Sequence, residues 1–319
     1  MKLEDLYKKA IEAGIDNDPR GREAVLQELN RRKQDFDKLP PAEKEFFDVE
    51  SLQNPYSDSR LLYGSDRLEI KGILAGIDID VGEILLADNL RQKGKRIDLL
   101  LSHHPSGRAF ADLYSVMGMQ ADILNLFGVP INIAEGLMDR RVKEVERKLL
   151  PSNHTRAVDA ARLLDLPFVC FHTAADNMVA SYLQRLFDKR KPYFLSDILE
   201  MLQEIPEYRT AKQQSAGPKI FLGSKKRKAG KIFVDMTGGT EGAKEIFQSL
   251  TNSGVSTIVG MHISEEHRKE AEKSHLNVVV AGHISSDSLG LNLLIDEISK
   301  GNSFELFECS GFRRFSRLS

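Results

Sequence analysis

Short apolar runs that end in histidine are the feature that most constrains the fold of this chain. Residues 99–101 are three leucines, followed after one serine by His103, His104 and Pro105. A continuous apolar run that stops at a turn-forming proline predicts a strand buried on both faces, as in a parallel sheet. Ligands of α/β folds collect beyond the carboxyl ends of such strands, so we expect both histidines to face a binding crevice.

Two further apolar runs end in the same way. One stops at Phe171, before a His-Thr-Ala-Ala-Asp segment, and the other stops at Gly282, before a His-Ile-Ser-Ser-Asp segment. Together the three strand ends provide these candidate metal ligands: His103, His104, Asp176, His283 and Asp287. Imidazole and carboxylate suit zinc, manganese, nickel or iron, and five protein ligands exceed what one catalytic ion usually takes, so we expect one or two divalent ions. The competing interpretation, polar residues that merely open loops, fits any single motif better than all three.

A glycine-rich segment follows another predicted strand, over residues 232–236. Gly238, Gly239 and Thr240 come before a predicted helix over residues 243–252. Free backbone N–H groups at such a turn and the dipole of the helix favour an anion, so these three residues form a candidate cradle for a substrate phosphate. A tight structural turn is an equally good interpretation, because the segment lacks the ending of a Walker A sequence.

Composition limits the partners of the chain. Of its 319 residues, 41% are hydrophobic and 29% are charged, which is ordinary for a globular protein. The net charge of -2, from 45 basic and 47 acidic residues, favours neither nucleic acid nor an anionic membrane as a partner. Two cysteines in unrelated contexts, no apolar leader and no run of about 20 apolar residues lead us to expect a cytoplasmic protein.

The sequence pattern changes near residue 60. Residues 1–60 have helical periodicity and predict a small N-terminal helical appendage. From 66 to 319, apolar runs alternate with amphipathic segments, which predicts an α/β region with parallel or mixed sheets flanked by helices. Within this region we expect a strand over residues 129–134 and a polar, basic inserted segment over about 206–230.

Several charged or titratable residues stay outside the predicted ligand set. Asp78 and Asp80 end the first predicted strand, where acidic residues that open a loop are common. His262 and His267 are assigned to a helix and expected to be exposed. The basic run 225–228 has no interleaved aromatic residues, so we interpret it as a solvated turn.

The three histidine motifs, in this order, resemble the Nif-three-like family. Its hallmarks are a strand ending in His-His-Pro, a mid-chain His-Thr-x-x-Asp segment and a late Gly-His-x-x-x-Glu segment. The matching residues here are His103, His104, Pro105, His172, Thr173, Asp176, Gly282, His283 and Asp287. The resemblance spans about residues 66–319 and implies an α/β protein with a pair of divalent metals in a cleft. It also implies a homo-oligomer, often ring-shaped, and some members carry the label GTP cyclohydrolase type 2.

Two positions depart from the family pattern. Asp287 stands where the family usually has glutamate, and its carboxylate is one methylene shorter. Bridging two metals then requires a closer approach of the backbone, so we expect one tightly held ion and a second that is lost readily. The segment after Asp176 lacks the family's glycine, so we expect a different local loop.

These observations predict a divalent-metal protein, with hydrolysis as the favoured chemistry. The expected target is a nucleotide, a phosphate ester or a heterocyclic amide-like bond in a small-molecule substrate, since paired ions activate water and clamp or polarise such groups. No serine or cysteine has a convincing setting as a nucleophile. The alternative is a metal-binding regulatory or scaffold protein without turnover.

Overall fold

Strands and amphipathic helices alternate through most of the chain in the computed structural model, which describes residues 1–318. The strands are β1 (Ser59–Tyr63), β2 (Gly72–Gly76), β3 (Leu99–Ser102), β4 (Phe168–Phe171), β5 (Lys219–Leu222), β6 (Lys231–Asp235), β7 (Val255–Gly260), β8 (Asn277–Val280) and β9 (Glu305–Cys309). The helices of the first half are α1 (Leu3–Asp16), α2 (Arg22–Lys38), α3 (Pro41–Lys44), α4 (Val81–Gln92), α5 (Gly107–Ala111), α6 (Leu113–Val116), α7 (Met119–Leu126), α8 (Ile131–Leu149) and α9 (Arg156–Leu163). Those that follow are α10 (Thr173–Arg190), α11 (Leu195–Glu204), α12 (Pro206–Gln213), α13 (Ile246–Asn252), α14 (Glu265–Lys273) and α15 (His283–Ser299).

The strands form two mixed sheets of similar design. The first has the order β1-β4-β3-β2-β9 and the second the order β5-β8-β7-β6. In each sheet the strands are parallel except for one antiparallel edge strand, β1 in the first and β5 in the second. The predicted α/β fold with mixed sheets is thus confirmed, and the carboxyl ends of the parallel strands lie together at one edge of each sheet.

The apolar runs are continuous because helices cover both faces of the first sheet. Leu99 and Leu101 point into the core that contains α1 and α7, whereas Leu100 points into a second core beside α4 and α9. All three side chains are buried. Alternation of side chains along a strand therefore leaves no position for a polar residue until the strand ends at Ser102.

The N-terminal helices are present, but α1 is not a peripheral appendage. Leu3, Leu6 and Ala10 on α1 are fully buried in the main core. The helix packs against α10 and α15, which carry candidate ligands. β1 also begins at Ser59, inside the polar stretch that marks the predicted boundary, and pairs with β4.

The strand predicted over residues 129–134 is wrong, because these residues lead into the long helix α8. Pro130 precedes the first helical residue, where its fixed backbone angle favours helix initiation. Ile131 and Ile133 remain exposed, while Ala134 and Met138 are buried one turn apart. The apolar residues thus follow helical spacing, and the β-branched residues at the start of the run made it resemble a strand.

The segment predicted as an insertion over 206–230 contains regular structure. It comprises α12, the edge strand β5 and a turn over residues 223–230 that carries the basic run. Residues 225–228 of that turn are exposed, in agreement with a solvated turn. Among the described residues, no helix combines the length and apolarity that crossing a membrane requires.

Candidate metal centre

Three strand ends bring histidines to one cleft between the two sheets. The N–H groups of His103 and His104 donate to the carbonyl oxygens of Gly76 and Ile77, at 3.0 and 2.9 Å. The histidine pair therefore continues the parallel ladder that β3 forms with β2. This pairing fixes the backbone of both residues before any ligand binds.

Two helices begin at the other strand ends and carry a histidine and an aspartate four residues apart. His172 precedes the first residue of α10 and Asp176 lies in its first turn, while His283 begins α15 and Asp287 follows one turn later. A spacing of four residues brings both side chains of each pair to one face of the helix. Gly282, with φ of 115°, makes the sharp turn from β8 into α15, a conformation that glycine adopts without strain.

Asp287 lies between the two members of the histidine pair. Its Oδ1 is 3.4 Å from His103 Nε2, and its Oδ2 is 3.4 Å from His104 Nε2 and 3.6 Å from His283 Nε2. His103 Nε2 is also 3.4 Å from Asp176 Oδ1. Two ligand atoms about 2.1 Å from one tetrahedral ion lie about 3.4 Å apart, so these separations suit shared coordination.

Buried polar atoms without hydrogen-bond partners indicate that the cluster suits a cation. His103 Nδ1 and Nε2, Asp176 Oδ1 and both carboxylate oxygens of Asp287 are buried and make no hydrogen bond to any described residue. Leaving such groups unpaired is costly, and a divalent cation would satisfy most of them at once. The side chains thus fit a metal ion, although the choice of ion is not decided by the donor set.

Two groups of possible ligands share Asp287 alone. One contains His103, Asp176 and Asp287, and the other contains His104, His283 and Asp287, with the ligand atoms of each group within 4.8 Å of one another. The structure thereby brings together all five residues that the sequence singled out. Metal ligation by these residues remains a prediction.

His172 belongs to the same cluster, although sequence reasoning left it out of the ligand set. Its ring centre lies 5.0 Å from that of His103, and its Nε2 is 3.9 Å from Asp176 Oδ2. With His103 and His104 it forms a third group that can hold a metal ion. The signal was available, because His172 follows an apolar strand as the other histidines do.

Two carboxylates outside the cluster orient its histidines. Asp58 Oδ2 lies 2.8 Å from His172 Nδ1 and accepts the hydroxyl proton of Thr173 at 2.7 Å, while Asp78 Oδ1 lies 2.7 Å from His104 Nδ1. Carboxylates in this position fix the ring and the tautomer of a metal-binding histidine. Asp78 is one of the residues that the sequence pattern leaves outside the ligand set, and Asp58 lies in the polar stretch before β1, where no sequence signal indicates this role.

Burial and charge set unusual protonation states in the cluster. Burial lowers the pKa of His103 to about 3 and raises the pKa of Asp176 to about 7. Burial disfavours the charged form of His172, but Asp176 and the hydrogen bond to Asp58 outweigh it and raise its pKa to about 9. In the metal-free protein the His172 imidazolium thus supplies positive charge that a bound cation would replace.

The glycine-rich loop borders the same cleft without opening a helix. The predicted helix over 243–252 begins only at Ile246 as α13, so no helix N-terminus lies at Gly238 or Gly239. The side-chain amide of Gln120 donates to the carbonyl oxygens of Gly238 and Thr240, at 2.6 and 2.8 Å. Both glycines have positive φ and pack against residues 116–120. These contacts favour a structural turn, and the anion cradle stays a prediction.

His262 and His267 occupy different environments. His262 is exposed, in agreement with the prediction, but it precedes α14 rather than lying on it. The prediction that His267 is exposed is wrong: it is buried, with Nε2 2.9 Å from the carbonyl oxygen of Gly242 and Nδ1 2.7 Å from Ser264 Oγ. The packing of α14 on the glycine-rich loop buries this side, which sequence spacing alone did not reveal.

The cluster opens into a cavity of about 450 Å³ between the two sheets. His104, His172, Asp176, His283 and Asp287 line one side. Residues 235–237 and 239–242 also line it, so Gly239 and Thr240 of the predicted anion cradle border the cavity and Gly238 does not. A small molecule in this cavity would contact the candidate ligands and the glycine-rich loop together.

Comparison with solved structures finds proteins of similar overall fold. A NIF3 superfamily protein from Sphaerobacter thermophilus matches with 26% sequence identity and a TM-score of 0.69, over 80% of this chain and 91% of that one. The chain is a NIF3-like protein. HcgD from Methanocaldococcus jannaschii matches at 16% identity and TM-score 0.47, over 78% and 87% of the two chains, and TTHA1606 from Thermus thermophilus at 13% and 0.45, over 93% and 99%. Neither a protein-family model nor a curated protein matches the chain.

In this NIF3-like chain, a close helix crossing accompanies the shorter carboxylate. A Cβ atom at Gly290 of α15 would lie 2.6 Å from the carbonyl oxygen of Ala175 on α10, so the two helices meet backbone to backbone. The contact lies beside Asp176 and one turn after Asp287. Asp287 reaches both His103 and His104 from this helix, at 3.4 Å each, while the expected effect of the shorter carboxylate on metal binding stays a prediction.

The second departure from the family pattern falls inside α10 rather than in a loop. Asn177 is buried, and its amide donates to Tyr56 Oη at 3.0 Å and to the carbonyl oxygen of Gly14 at 3.2 Å. Its Oδ1 accepts the hydroxyl proton of Thr237 at 2.6 Å. One side chain of this NIF3-like protein therefore joins α1, α10 and the glycine-rich loop beside the cluster.

Proposed function

We propose that this protein is a divalent-metal hydrolase with a dinuclear centre bridged by Asp287. The observation that carries the proposal is the pair of ligand groups that share Asp287 and contain buried, unpartnered atoms. His103 and Asp176 would hold one ion, and His104 and His283 would hold the other. Zinc, manganese, nickel and iron all suit these imidazole and carboxylate donors.

The arrangement of the cleft supports hydrolysis of a small molecule. A pair of divalent ions, when bound, supplies an activated water and a Lewis acid for a nucleotide, a phosphate ester or a heterocyclic amide-like bond. The protein contributes a cavity of about 450 Å³, in which Asp58 and Asp78 hold His172 and His104 in fixed orientations. In this proposal Gly238, Gly239 and Thr240 are the candidate contacts for a substrate phosphate.

Elemental analysis and a substrate screen test the proposal. Protein purified without added metal should contain divalent ions, and the metal-loaded protein should hydrolyse at least one of the three bond classes. Turnover should disappear in His104→Ala, while His275→Asn, an exposed position away from the cleft, serves as the matched control. Bound ions with no turnover on any bond class would instead favour a metal-binding regulatory or scaffold protein.

The proposal also includes a cytoplasmic homo-oligomer. Large apolar side chains remain exposed in one chain, among them Leu85 and Leu86 on α4, at 49% and 44% of their full area. Exposed apolar neighbours of this kind are typical of surfaces that pack against another molecule. Light scattering of the purified protein tests the assembly, and Leu86→Lys should reduce the measured mass if α4 lies in the contact.

A further inference from the structure

A carboxylate without a partner lines the cavity next to the glycine-rich loop. Asp235 ends β6, lines the cavity and is only partly buried. Its carboxylate makes no hydrogen bond or ion pair with any described residue, and burial raises its pKa to about 6. An ionised group in this position gains most from a ligand that brings a positive charge or N–H donors.

A second carboxylate is anchored on the same side of the cavity. Glu241 Oε1 accepts the backbone N–H of Ser264 at 2.9 Å, and Oε2 lies 3.3 Å from His267 Nδ1. The backbone carbonyl of Glu241 accepts the Nε–H of Arg141 at 2.9 Å. Main chain and side chain are thus both fixed, so this negative charge cannot turn away when a ligand enters.

No lysine or arginine balances these acids in the cavity, where only the histidines His262 and His267 lie beside Glu241. Among the described residues that line the cavity, none is lysine or arginine. Arg141 and Lys244 flank the glycine-rich loop, but their side chains pair with Glu144 at 2.9 Å and Glu266 at 2.7 Å, outside the cavity. Positive charge in the cavity would therefore come from metal ions and histidines alone.

We infer that the cleft selects substrates with a planar amidine or amino-heterocycle group, held by Asp235 and Glu241, and disfavours substrates with a phosphate in that position. The catalytic meaning of this specificity rests on the proposed function, in which the reacting bond lies at the metal ions and the selected group lies at Asp235 and Glu241. A phosphate there would face two carboxylates with no lysine or arginine to offset the repulsion. An amidine instead matches a carboxylate with parallel N–H donors.

Binding of one aromatic ring with three different substituents tests the inference. We would titrate benzamidine, benzamide and phenyl phosphate into the metal-loaded full chain by calorimetry, for wild type, Asp235→Asn and Glu241→Gln. Asp88→Asn, on α4 and outside the residues that line the cavity, is the matched control for loss of a carboxylate. Asparagine and glutamine keep the shapes of the original side chains, so the folded structure should persist.

The expected result is a charge-dependent change confined to the cleft variants. Benzamidine should bind wild type and the control equally, and about tenfold more weakly after Asp235→Asn, as loss of one charge-assisted hydrogen bond predicts. Benzamide should change little, and phenyl phosphate should bind more tightly after the same change. Equal benzamidine affinity in wild type and both cleft variants would overturn the inference.

This experiment separates the inference from the proposed function. Calorimetry measures affinity without turnover. If the protein hydrolyses no substrate but Asp235→Asn weakens benzamidine binding, the inferred specificity stands and the hydrolase proposal fails. A protein that hydrolyses phosphate esters and binds benzamidine identically in all variants would give the reverse outcome. Metal content, measured on each sample, distinguishes both outcomes from simple loss of ions.

Discussion

The two sheets meet the metal cluster in contrasting ways. The first sheet contributes His103, His172 and Asp176, which are buried, and a further carboxylate, Asp58, that is fully buried and hydrogen-bonded. The second sheet contributes His283, whose side chain retains 43% of its exposure. Asp287, also from the second side, is fully buried, so the contrast lies in the histidines: His103 and His172 are enclosed, whereas His283 is open to solvent.

The carboxylates of the two sides show the same contrast. Asp58 is fully buried, yet hydrogen bonds from His172 and Thr173 outweigh that burial and hold its pKa below the usual value. Asp235 has no such donors, and burial raises its pKa. Polar contacts on the first side thus hold candidate metal ligands, whereas Asp235 on the second side has no hydrogen-bond partner among the described residues.

The largest expected effect follows from removal of the one residue that both sides share. Asp287→Ala should abolish binding of both ions, because Asp287 belongs to both ligand groups. His283→Ala should remove only the loosely held ion, because the buried group of His103 and Asp176 stays complete. Elemental analysis after chelation and reloading measures the ratio of ions to protein, with His275→Asn as the control. An Asp287→Ala protein that keeps one full equivalent would refute the bridging role.

The helix crossing gives a second test, in which the shared carboxylate is moved rather than removed. Gly290→Ala should push α15 from α10, reduce stability by about 1–3 kcal/mol and weaken the second ion by more than tenfold. Asp287→Glu in the same chain should restore part of that affinity, since the longer side chain spans the added distance. Thermal melts and metal titrations measure the two effects.

A glycine in open surroundings provides the control for this test. Gly136 lies on the exposed face of α8 with nothing within 4 Å of an added Cβ, so Gly136→Ala should stabilise the chain by about 0.5–1 kcal/mol. If Gly290→Ala also stabilised the protein and left metal affinity intact, the crossing would not explain the reach of Asp287.

A smaller effect distinguishes the two orienting carboxylates. Asp58→Asn should lower metal affinity about 10–100-fold, because the fully buried carboxylate holds Thr173 and also His172, which forms a possible ligand group with His103 and His104. Asp78→Asn should cost less, because Asp78 is 61% exposed and its contact to His104 competes with water. Competition with a chelator of known affinity ranks both variants. Equal losses would show that burial of the orienting carboxylate does not decide its effect on metal affinity.

The smallest effect concerns stability against pH in the metal-free protein. The pKa of Asp235 rises from 3.8 to about 6 on folding, so the folded chain binds this proton more tightly than the unfolded chain. Stability contributed by the protonated form is therefore lost as pH rises from about 4 to 6. Asp235→Asn should be more stable than wild type by about 1–3 kcal/mol at pH 7.5 and nearly equal to it at pH 4. Urea melts at both pH values check this, and an advantage that persists at pH 4 would contradict the assignment.

The parts that the sequence could predict are those set by local pattern. Apolar runs that end in histidine indicated the strand ends, and the four-residue spacing selected Asp176 and Asp287, because strand and helix periods depend on neighbouring residues alone. Asp58 could not be found in this way, since 114 positions separate it from His172 and its surrounding stretch has the composition of a linker. The burial of His267 likewise depends on how α14 packs.

The hydrogen bonds of Asn177 have a consequence for how the chain can be divided. Because its amide binds Gly14 and Tyr56 while its carbonyl holds Thr237, the first helix is fastened to the wall of the cavity through one buried side chain. Removal of α1 would expose the core residues that pack against Leu3 and Leu6. It would also remove a hydrogen-bond partner of the side chain that holds the cavity wall. α1 is thus joined to the cavity wall, and removal of residues 1–14 would break the hydrogen bond between Asn177 and Gly14.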